Sequence, residues 1–335
     1  MNQPLVSIIT PFKNTALFLT EMLDAVISQS YSNWELLIVN DHSTDTSNDL
    51  VAQYALKDER IKLLQNKGTG IIEALQTGYN KSEGDFITRM DSDDIMTPNK
   101  LESMVLDLQS NGLGHIALGH VKYFCEGEIG EGFKNYENWL NSLTSKGNNF
   151  SDLYKECVIP SPCWMVHQLD FDNCGGFNSS TYPEDYDLVF RFFEKGYKCI
   201  PSSQVLHHWR DYSSRASRTD ANYADNTFVD LKLFYFLKLH KNIEKPLVIW
   251  GAGAKGKRIA KELLSQNIAF HWVCDNPKKI GKDIYGKQML PFTEIDTFEN
   301  AQNIITVANI QAQQEIRKFF EVRKKESMVD FFFFC

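Results

Sequence analysis

Short apolar runs alternate with amphipathic stretches over the N-terminal third of the chain. Four runs rich in β-branched residues are each followed by a segment with helical periodicity. The predicted strands are 5–10, 34–40, 61–64 and 85–90, and the predicted helices are 17–29, 45–57, 70–82 and 98–111. Asp45 caps the second of these helices, and Pro98 is expected in the first turn of the fourth. Strand–helix alternation predicts parallel βαβ units, which bind ligands at the carboxyl ends of their strands.

The pattern is less regular over residues 112–218, where glycines and asparagines mark loops at 127–132 and 148–149. This region is expected to bind a second substrate, the acceptor of a transferred group. Residues 221–242 are apolar around most of a helical circumference. This distribution favours a buried packing helix over a helix that lies on a membrane surface.

A new α/β unit is predicted from Lys245 onward. Residues 247–250 and 269–274 are predicted strands, 251–256 a tight glycine turn, 257–266 a helix, and 303–308 a further strand. The phenylalanine run at 331–334 fits a buried last strand or an interaction surface. The predicted domains are therefore 1–218, a linker helix over 219–244, and 245–335.

Composition narrows the class of protein. The 335 residues carry 35 basic and 43 acidic side chains, a net charge of −8, and the acidic excess lies before Pro246. The length suggests two domains with ordinary cores, and the acidic body argues against nucleic acid as the main ligand. No apolar run approaches the ~20 residues of a bilayer span, and the N-terminus lacks the features of a signal peptide. A cytoplasmic protein is expected, with peripheral contact at the inner face of the membrane left open.

The seven cysteines include no C-x-x-C pair or other zinc-ligand spacing. They are predicted to be buried thiols in a reducing compartment rather than disulfides or a metal site.

The clearest candidate chemistry is the acidic sequence 91–94, Asp-Ser-Asp-Asp, which follows the fourth predicted strand. An extended chain would project Asp91 and Asp93 to the same side. Two such carboxylates are hard oxygen ligands for Mg²⁺ or Mn²⁺, with diphosphate oxygens as the remaining ligands. The alternative is an acidic turn that only caps the next helix.

Other polar residues follow the same strand edge. Asp41 is a candidate acceptor for a ribose or a base, or else an Asx-turn residue. Lys67 and Arg89 are candidate phosphate contacts, or else solvated surface charges. Glu184 and Asp185 open a predicted helix, where carboxylates are stabilised by the helix dipole by ~1 kcal/mol or less. The alternative hypothesis is that one of them is a general base, which takes the proton from an acceptor hydroxyl as that hydroxyl attacks.

Five motifs carry a resemblance to a known family. They are VSIITP at 6–11, ELLIVND with STD at 35–45, GDFI leading to RMDSDD at 84–94, GGF at 175–177, and EDYDL at 184–188. In this order they resemble the signature of the family 2 inverting glycosyltransferases with the GT-A fold, over residues 4–218. The implied fold class is α/β, a GT-A nucleotide-diphospho-sugar transferase fold followed by a small Rossmann-like domain.

The resemblance implies roles for these residues. Thr10, Pro11 and Asp41 would meet the donor nucleoside, and Asp91 its ribose and phosphate side. Asp93, with Asp91, would hold Mg²⁺ or Mn²⁺, and Asp185, beside Glu184, would be the base. The remaining donor-binding candidates are Lys67, Arg89 and Ser92.

The implied reaction is a single displacement at the anomeric carbon, with the metal stabilising the departing nucleoside diphosphate. The implied partners are a nucleotide sugar, UDP-linked, and a glycan or lipid-linked acceptor in bacterial surface polysaccharide synthesis, without nucleic acid. A homo-oligomer is left open.

Some positions depart from the family pattern. His42 stands where a small residue is common, and Gln76 where asparagine is usual. The stretch Trp209-Arg210-Asp211-Tyr212 resembles the closing Y-R-x-H element of the family, but Tyr212 replaces the histidine that can help to bind diphosphate in relatives. His207 and His208 are candidate substitutes for it, although ordinary strand positions are favoured.

The C-terminal unit carries the glycine pattern Gly251-x-Gly253-x-x-Gly256 between a strand and a helix, with Asp275 after the next strand. This is the arrangement of a dinucleotide-binding turn. The unit resembles small Rossmann-like nucleotide-binding modules appended to surface-polysaccharide enzymes, and a binding or regulatory role is expected.

Two rival functions use the same residues differently. A nucleotide-sugar or NAD-linked oxidoreductase or epimerase would need a Tyr-x-x-x-Lys element, but Tyr285 is followed four residues later by Met289. A non-catalytic nucleotide-binding protein is the other alternative.

Overall fold

The computed structural model describes residues 3–213, 215, 218 and 228–335, which fall into two units. The first unit comprises Met1–Asn149 and Val158–Arg215, and the second comprises Phe150–Cys157 and Ala216–Cys335. The short segment 150–157 therefore belongs to the second unit, although it lies inside the range 1–218 that the sequence assigned to one domain.

The first unit is built on a seven-stranded sheet with the order β3-β2-β1-β4-β8-β6-β9. A small second sheet has the order β5-β10-β7. The strands are β1 Val6–Phe12, β2 Trp34–Asn40, β3 Ile61–Gln65, β4 Phe86–Arg89, β5 Ile95–Met96, β6 His115–Leu118, β7 His120–Phe124, β8 Trp164–His167, β9 Lys198–Cys199 and β10 Val205–Arg210. Strands β1 to β4 are parallel, and β8 is antiparallel to β4. Because helices cover both faces of such a sheet, its central strands are continuous apolar runs, as in 36–39.

The predicted strand–helix alternation is confirmed. The helices of the first unit are α1 Ala16–Ile27, α2 Ser47–Ala55, α3 Ile71–Tyr79, α4 Lys100–Asn111, α5 Glu131–Lys146, α6 Gln168–Asn173 and α7 Glu184–Glu194. Asp45 Oδ1 accepts a hydrogen bond from the Ser47 amide at 3.0 Å, but the N-cap of α2 is Thr46, so the expectation that Asp45 caps this helix is wrong. The expectation for Pro98 is wrong, because Asn99 is the N-cap of α4 and Pro98 lies before the helix.

The second unit contains a six-stranded sheet with the order β13-β14-β12-β11-β15-β16, parallel except for the β13–β14 pair. Its elements are α8 Phe228–Leu239, β11 Leu247–Trp250, α9 Ala254–Ser265, β12 His271–Cys274, β13 Asp283–Ile284, β14 Lys287–Pro291, β15 Gln302–Ile305, α10 Ile310–Val322 and β16 Phe331–Phe333. Residues 219–227 of the predicted linker helix lie outside the described residues. Helix α9 begins three residues earlier than predicted, so Gly256 lies in its first turn rather than in the preceding loop.

An aromatic cluster explains why segment 150–157 belongs to the second unit. Tyr154 is fully buried, stacks on Phe334 at 5.1 Å between ring centroids, and meets Phe236 and Phe332 edge-on at 6.1 and 5.8 Å. Burial of several aromatic rings supplies much of the stabilisation of a small core. The interpretation of the phenylalanine run as a buried last strand is confirmed by β16.

The seven cysteines are present as thiols, four of them buried and three half-buried. In the ranges that the structure describes, no helix is both long enough and apolar enough to cross a bilayer.

Candidate functional site

The carboxyl ends of β1, β2 and β4 bring the predicted donor-binding residues to one edge of the sheet. Thr10 and Pro11 belong to the last part of β1, Asp41 follows β2, and residues 91–94 follow β4. Parallel pairing of β1 with both β2 and β4 places these ends side by side. Thr10 is fully buried, and its Oγ1 has no hydrogen-bond partner among the described residues.

Asp41 is a buried carboxylate that organises the loop after β3. Its Oδ1 accepts hydrogen bonds from Asn66 Nδ2 at 2.7 Å and from the Gly70 amide at 3.0 Å, and Lys13 Nζ lies 3.4 Å from Oδ2. Burial raises the pKa of Asp41, but the two hydrogen bonds and the lysine charge outweigh it and leave the pKa below its ordinary value. The group is therefore an ionised acceptor at neutral pH.

The neighbours of Asp41 include two of the residues singled out in the sequence. His42 has a positive φ of 57°, and its Nε2 lies 2.7 Å from the Gly68 carbonyl. This contact ties the loop after β2 to the loop after β3. Lys67, next to Asn66, is exposed.

Arg89 joins two motifs that are far apart in the sequence. Its Nε and Nη2 lie 3.0 and 2.9 Å from Asp91 Oδ1, and its Nη1 donates to Glu184 Oε1 at 2.8 Å. Burial alone would lower the pKa of Arg89, but the charges of Asp91, Glu184 and Asp185 raise it, so the guanidinium stays charged. Arg89 is only 5% exposed, and the interpretation as a solvated surface charge is wrong.

The acidic sequence 91–94 forms a turn and not an extended strand. The period-two reason for placing Asp91 and Asp93 on one side is therefore wrong, although both carboxylates remain close enough for the charge of Asp91 to act on Asp93. Ser92, inside the turn, is buried.

Asp94 anchors this turn to β10. Its Oδ1 accepts from the Arg210 amide at 2.8 Å, and its Oδ2 lies 2.9 Å from His207 Nε2. Lys100 Nζ lies 3.3 Å from His207 Nδ1, so the imidazole accepts from the lysine and donates to Asp94. His207 is fully buried in this chain of contacts, and the idea that it contacts phosphate is wrong. His208 is half-buried.

Asp93 is half-buried, whereas its neighbour Asp94 is fully buried. Burial and the charges of Asp94 and Asp91 raise its pKa to about 7, against the opposing effects of Arg215 and of a hydrogen bond from Tyr212. The Tyr212 hydroxyl lies 2.8 Å from Asp93 Oδ2, so the residue that replaces the family histidine contacts the acidic turn directly. Arg215, a buried cation near all three carboxylates, was missed by the sequence analysis. Its only signal was a basic residue shortly after the closing element.

The carboxylate oxygens of Asp91 and Asp93 fit a divalent cation whose remaining ligands come from outside the protein. Among the described residues, no cluster of three or more His, Cys, Asp or Glu side chains is arranged to hold a metal ion. Asp91 uses Oδ1 for Arg89, and Asp93 uses Oδ2 for Tyr212, which leaves one carboxylate oxygen on each. Hard oxygen donors suit Mg²⁺ and Mn²⁺, which commonly share a few carboxylates with substrate phosphates. A cation here would also relieve the crowding of negative charge that raises the pKa of Asp93.

Glu184 and Asp185 stand at the first turn of α7 with different surroundings. Glu184 is buried, and its Oε2 has no hydrogen-bond partner in the part of the chain that the structure describes. Asp185 keeps part of its surface exposed, and its Oδ1 accepts from the Tyr186 amide at 2.7 Å. Desolvation and the charge of Glu184 raise the pKa of Asp185 to about 7, although Arg89 opposes this. Asp187, in the same turn, pairs with Arg191 at 2.9 Å.

The GGF loop is fixed to α7 and to α3. Arg191 Nη1 donates to the carbonyls of Cys174 and Gly176, each at 2.8 Å, and Gln76 Nε2 donates to the Phe177 carbonyl at 2.9 Å. Gln76, which departs from the family pattern, thus has a defined contact. These contacts fix the GGF loop to α7, the helix that begins with Glu184 and Asp185.

In the second unit, the predicted ligand residues do not all share one role. Gly251, Gly253 and Asp275 line a cavity of about 480 Å³, whereas Gly256 packs against the backbone of Gly251.

Comparisons with known proteins identify the relatives of the chain. Residues 7–175 match the family model described as Glycosyl transferase family 2. The glycosyltransferase GlyG of Streptococcus pneumoniae serotype 4 is 35% identical over 225 residues, which cover 64% of this chain and 74% of GlyG.

Two solved structures share the fold. S. aureus TarS 1–349 in complex with UDP-GlcNAc matches with a TM-score of 0.53 and 16% identity, over 78% of this chain and 72% of the other. The mannosyltransferase PcManGT from Pyrobaculum calidifontis, in complex with GDP-Man and Mn²⁺, matches with a TM-score of 0.52 and 19% identity, over 78% and 70%. These matches do not favour the oxidoreductase or the non-catalytic alternative.

Proposed function

The chain belongs to glycosyl transferase family 2, and on that premise we propose that it is an inverting glycosyltransferase that depends on a divalent metal ion. Its donor is a nucleotide sugar, UDP-linked, and its acceptor is a glycan or a lipid-linked saccharide in bacterial surface polysaccharide synthesis. The enzyme works in the cytoplasm, with peripheral membrane contact where the acceptor is lipid-linked. The transferase domain is residues 1–218 apart from the segment 150–157, and residues 245–335 form a Rossmann-like domain.

The observation that carries this proposal is the bridge made by Arg89. One guanidinium contacts Asp91 on the donor side and Glu184 on the base side. The bridge fixes the acidic turn relative to the start of α7, and such fixed geometry is a large part of catalysis for a reaction between two bound molecules.

Asp185 is the general base in this proposal. Its carboxylate takes the proton of the acceptor hydroxyl while that oxygen attacks the anomeric carbon and the bond to the nucleoside diphosphate breaks. A base works best when its pKa lies near the working pH, and the pKa of Asp185 is about 7. Attack from the side opposite the leaving group gives inversion of the anomeric configuration.

The donor lies along the strand edge. Asp41, ionised and buried, accepts from the nucleoside, with Thr10 and Pro11 beside it, and Lys67 and Ser92 lie nearer the phosphates. Asp91 and Asp93 would hold Mg²⁺ or Mn²⁺, which supplies positive charge for the departing diphosphate. The support for this part is the fit of the two free carboxylate oxygens, together with neighbours of the same fold that bind nucleotide sugars.

Calorimetry with UDP and Mn²⁺ tests the donor site. Asp93→Ala should abolish Mn²⁺-dependent UDP binding, because it removes one of the two protein ligands. Asp49→Ala, an exposed carboxylate in α2, is the matched control and should bind like the parent. Equal affinity in folded Asp93→Ala would reject the metal site. Proton NMR of the product then tests inversion, and retention of the donor configuration would reject the single displacement.

A further inference from the structure

A chain of buried polar side chains runs behind the acidic turn 91–94. Its members are Lys100, His207 and Asp94, and each has an exposed fraction of 0%. Lys100 Nζ donates to the Pro162 carbonyl and lies 3.3 Å from His207 Nδ1, and His207 Nε2 lies 2.9 Å from Asp94 Oδ2. We call these three residues the Lys–His–Asp chain.

The position of Lys100 is unfavourable in two ways. Burial removes its ammonium group from water, which costs free energy unless hydrogen bonds replace the lost hydration. Lys100 is also the first residue of α4, where the helix dipole disfavours a positive charge. Apolar side chains of similar volume often stabilise a core as well as buried ionic groups do. Stability of the fold alone therefore does not account for this lysine.

Lys100 determines where His207 carries its proton. An ammonium group only donates hydrogen bonds, so Nδ1 of the imidazole accepts from Lys100 and the proton is on Nε2. Nε2 consequently donates to Asp94 Oδ2. Which ring nitrogen is protonated is set by the hydrogen bond that the other nitrogen makes. Lys100 thus fixes the form of His207 that holds Asp94.

Both carboxylate oxygens of Asp94 are used inside the protein. Oδ1 accepts from the Arg210 amide at 2.8 Å, and Oδ2 accepts from His207. The Arg210 side chain also reaches this turn, because its Nε donates to the Asp93 carbonyl at 2.7 Å. The turn is therefore attached to β10 at two successive residues. Among the described residues, Asp91 and Asp93 each keep one carboxylate oxygen without a hydrogen-bond partner.

We propose that Lys100 and His207 are positioning residues for the metal ligands in this turn. Through Asp94 they hold the turn in the conformation that leaves one oxygen each of Asp91 and Asp93 for Mg²⁺ or Mn²⁺. Removal of groups that orient metal ligands typically lowers metal affinity ~10- to 100-fold. The inference rests on the proposed function, since it requires that a cation binds at Asp91 and Asp93.

Calorimetric titration of the full-length chain with UDP in the presence of Mn²⁺ tests this role. His207→Leu should raise the dissociation constant ~10-fold or more, because Asp94 loses the donor that orients it. His207→Gln should bind nearly as tightly as the parent, since a side-chain amide can accept from Lys100 and donate to Asp94. If His207 served packing alone, the apolar leucine would be tolerated better than glutamine.

A double variant separates binding from stability and covers the case in which His207→Leu does not fold. Lys100→Met combined with His207→Leu removes the buried charge together with the imidazole. Replacement of a buried ionic group by apolar side chains is often neutral or stabilising, so the unfolding temperature should be closer to that of the parent than in His207→Leu. The dissociation constant of UDP in Mn²⁺ should nevertheless remain ~10-fold or more above that of the parent.

His167→Leu is the matched control. His167 is also a strand histidine of the first unit, and its ring lies 4.8 Å from that of Phe86, at the end of β4 away from the acidic turn. This variant should bind UDP in Mn²⁺ like the parent.

Parent affinity in folded His207→Leu, or in the folded double variant, would overturn the inference and leave the metal site intact. Equal losses in His207→Gln and His207→Leu would also overturn it, because hydrogen bonding would then not explain the effect. If Mn²⁺ has no effect on UDP binding by the parent chain, the proposed metal site itself is rejected, and the inference with it.

Discussion

Arg89 links the acidic turn 91–94 to the start of α7 through one side chain. It is buried and contacts Asp91 and Glu184 through different nitrogens. An arginine can do this because its planar guanidinium has five donors, whereas a lysine is a single point charge. We therefore expect the site to depend on the identity of this cation and not only on its charge.

Arg89→Lys should lower kcat ~10-fold or more with a smaller effect on the donor KM, because the acidic turn and α7 lose their common partner. Leaving one buried carboxylate without its donor should also cost ~1–3 kcal/mol of unfolding free energy. Steady-state kinetics and urea unfolding measure both. Arg323→Lys, in an exposed pair with Asp296, is the control and should change neither value appreciably. A normal kcat in Arg89→Lys would show that the bridge does not position the reacting groups.

The sequence predicted where several candidate site residues lie, because each of them follows a strand or begins a helix. Asp41, Asp91 and Asp185 stand in motifs whose order is visible in the sequence. Arg215 and the Tyr212–Asp93 contact were not predictable, because they arise from the return of residues after β10 to the acidic turn. Burial of His207 was also hidden, since its partners Asp94 and Lys100 are more than 100 residues away in the sequence.

Helix α7, which begins with Glu184 and Asp185, and the GGF loop are held together by Arg191. Arg191 connects them by two hydrogen bonds to loop carbonyls. Gly176 has a φ of +49°, and a Cβ there would lie 3.0 Å from the Phe171 ring. Both the backbone conformation and the packing therefore call for glycine.

Gly176→Ala should lower the free energy of unfolding by ~1–2 kcal/mol, the cost of a left-handed conformation for a residue with a side chain. Gly132→Ala, inside α5 with no atom within 4 Å of its Cβ, should instead raise it by ~0.5–1 kcal/mol. Denaturant titrations of the two variants give the sign of each change. A Gly176→Ala variant as stable as the parent would contradict the packing argument.

Element bounds were predictable where apolar runs decide them. Strand β2 was predicted as 34–40 and is Trp34–Asn40, because a parallel central strand is apolar on both faces. Residues 91–94 were predicted as extended but form a turn, since charged residues carry no periodicity. The start of α9 was missed because a glycine pattern suggests a loop, although Gly256 is helical.

At the scale of the whole chain, the two units are not simply consecutive. The segment 150–157 leaves the first unit and places Tyr154 among the aromatic rings of β16 and α8. Local periodicity does not show that an internal segment packs with the second unit. The sequence analysis therefore predicted a single boundary near residue 218. The division into an α/β unit with the transferase motifs and a smaller α/β unit was visible from the strand–helix order.

A chain truncated after Lys245 should keep donor turnover per folded molecule, because the site residues lie in the first unit. It should also unfold ~10 °C lower, since Tyr154 loses the rings of Phe332 and Phe334. Calorimetry and donor hydrolysis measure the two effects, and Tyr154→Ser in the truncated chain controls for the exposed aromatic ring. A folded truncation without turnover would show that the second unit completes the active site.

In the proposed metal-dependent transfer from a nucleotide sugar, Asp185 accepts the proton of the acceptor hydroxyl. This role is tested by the pH dependence of nucleoside diphosphate release from UDP- and GDP-linked sugars in the presence of Mn²⁺. The parent chain and Asp185→Asn are compared. The parent kcat/KM should rise with pH through about 7, because a protonated Asp185 cannot accept the proton. Asp185→Asn should keep its donor affinity, lose ~10²-fold or more of the rate, and lose this rise with pH. The claim would be contradicted by an Asp185→Asn variant with the parent rate and pH profile, or by a parent rate that chelation of the metal leaves unchanged.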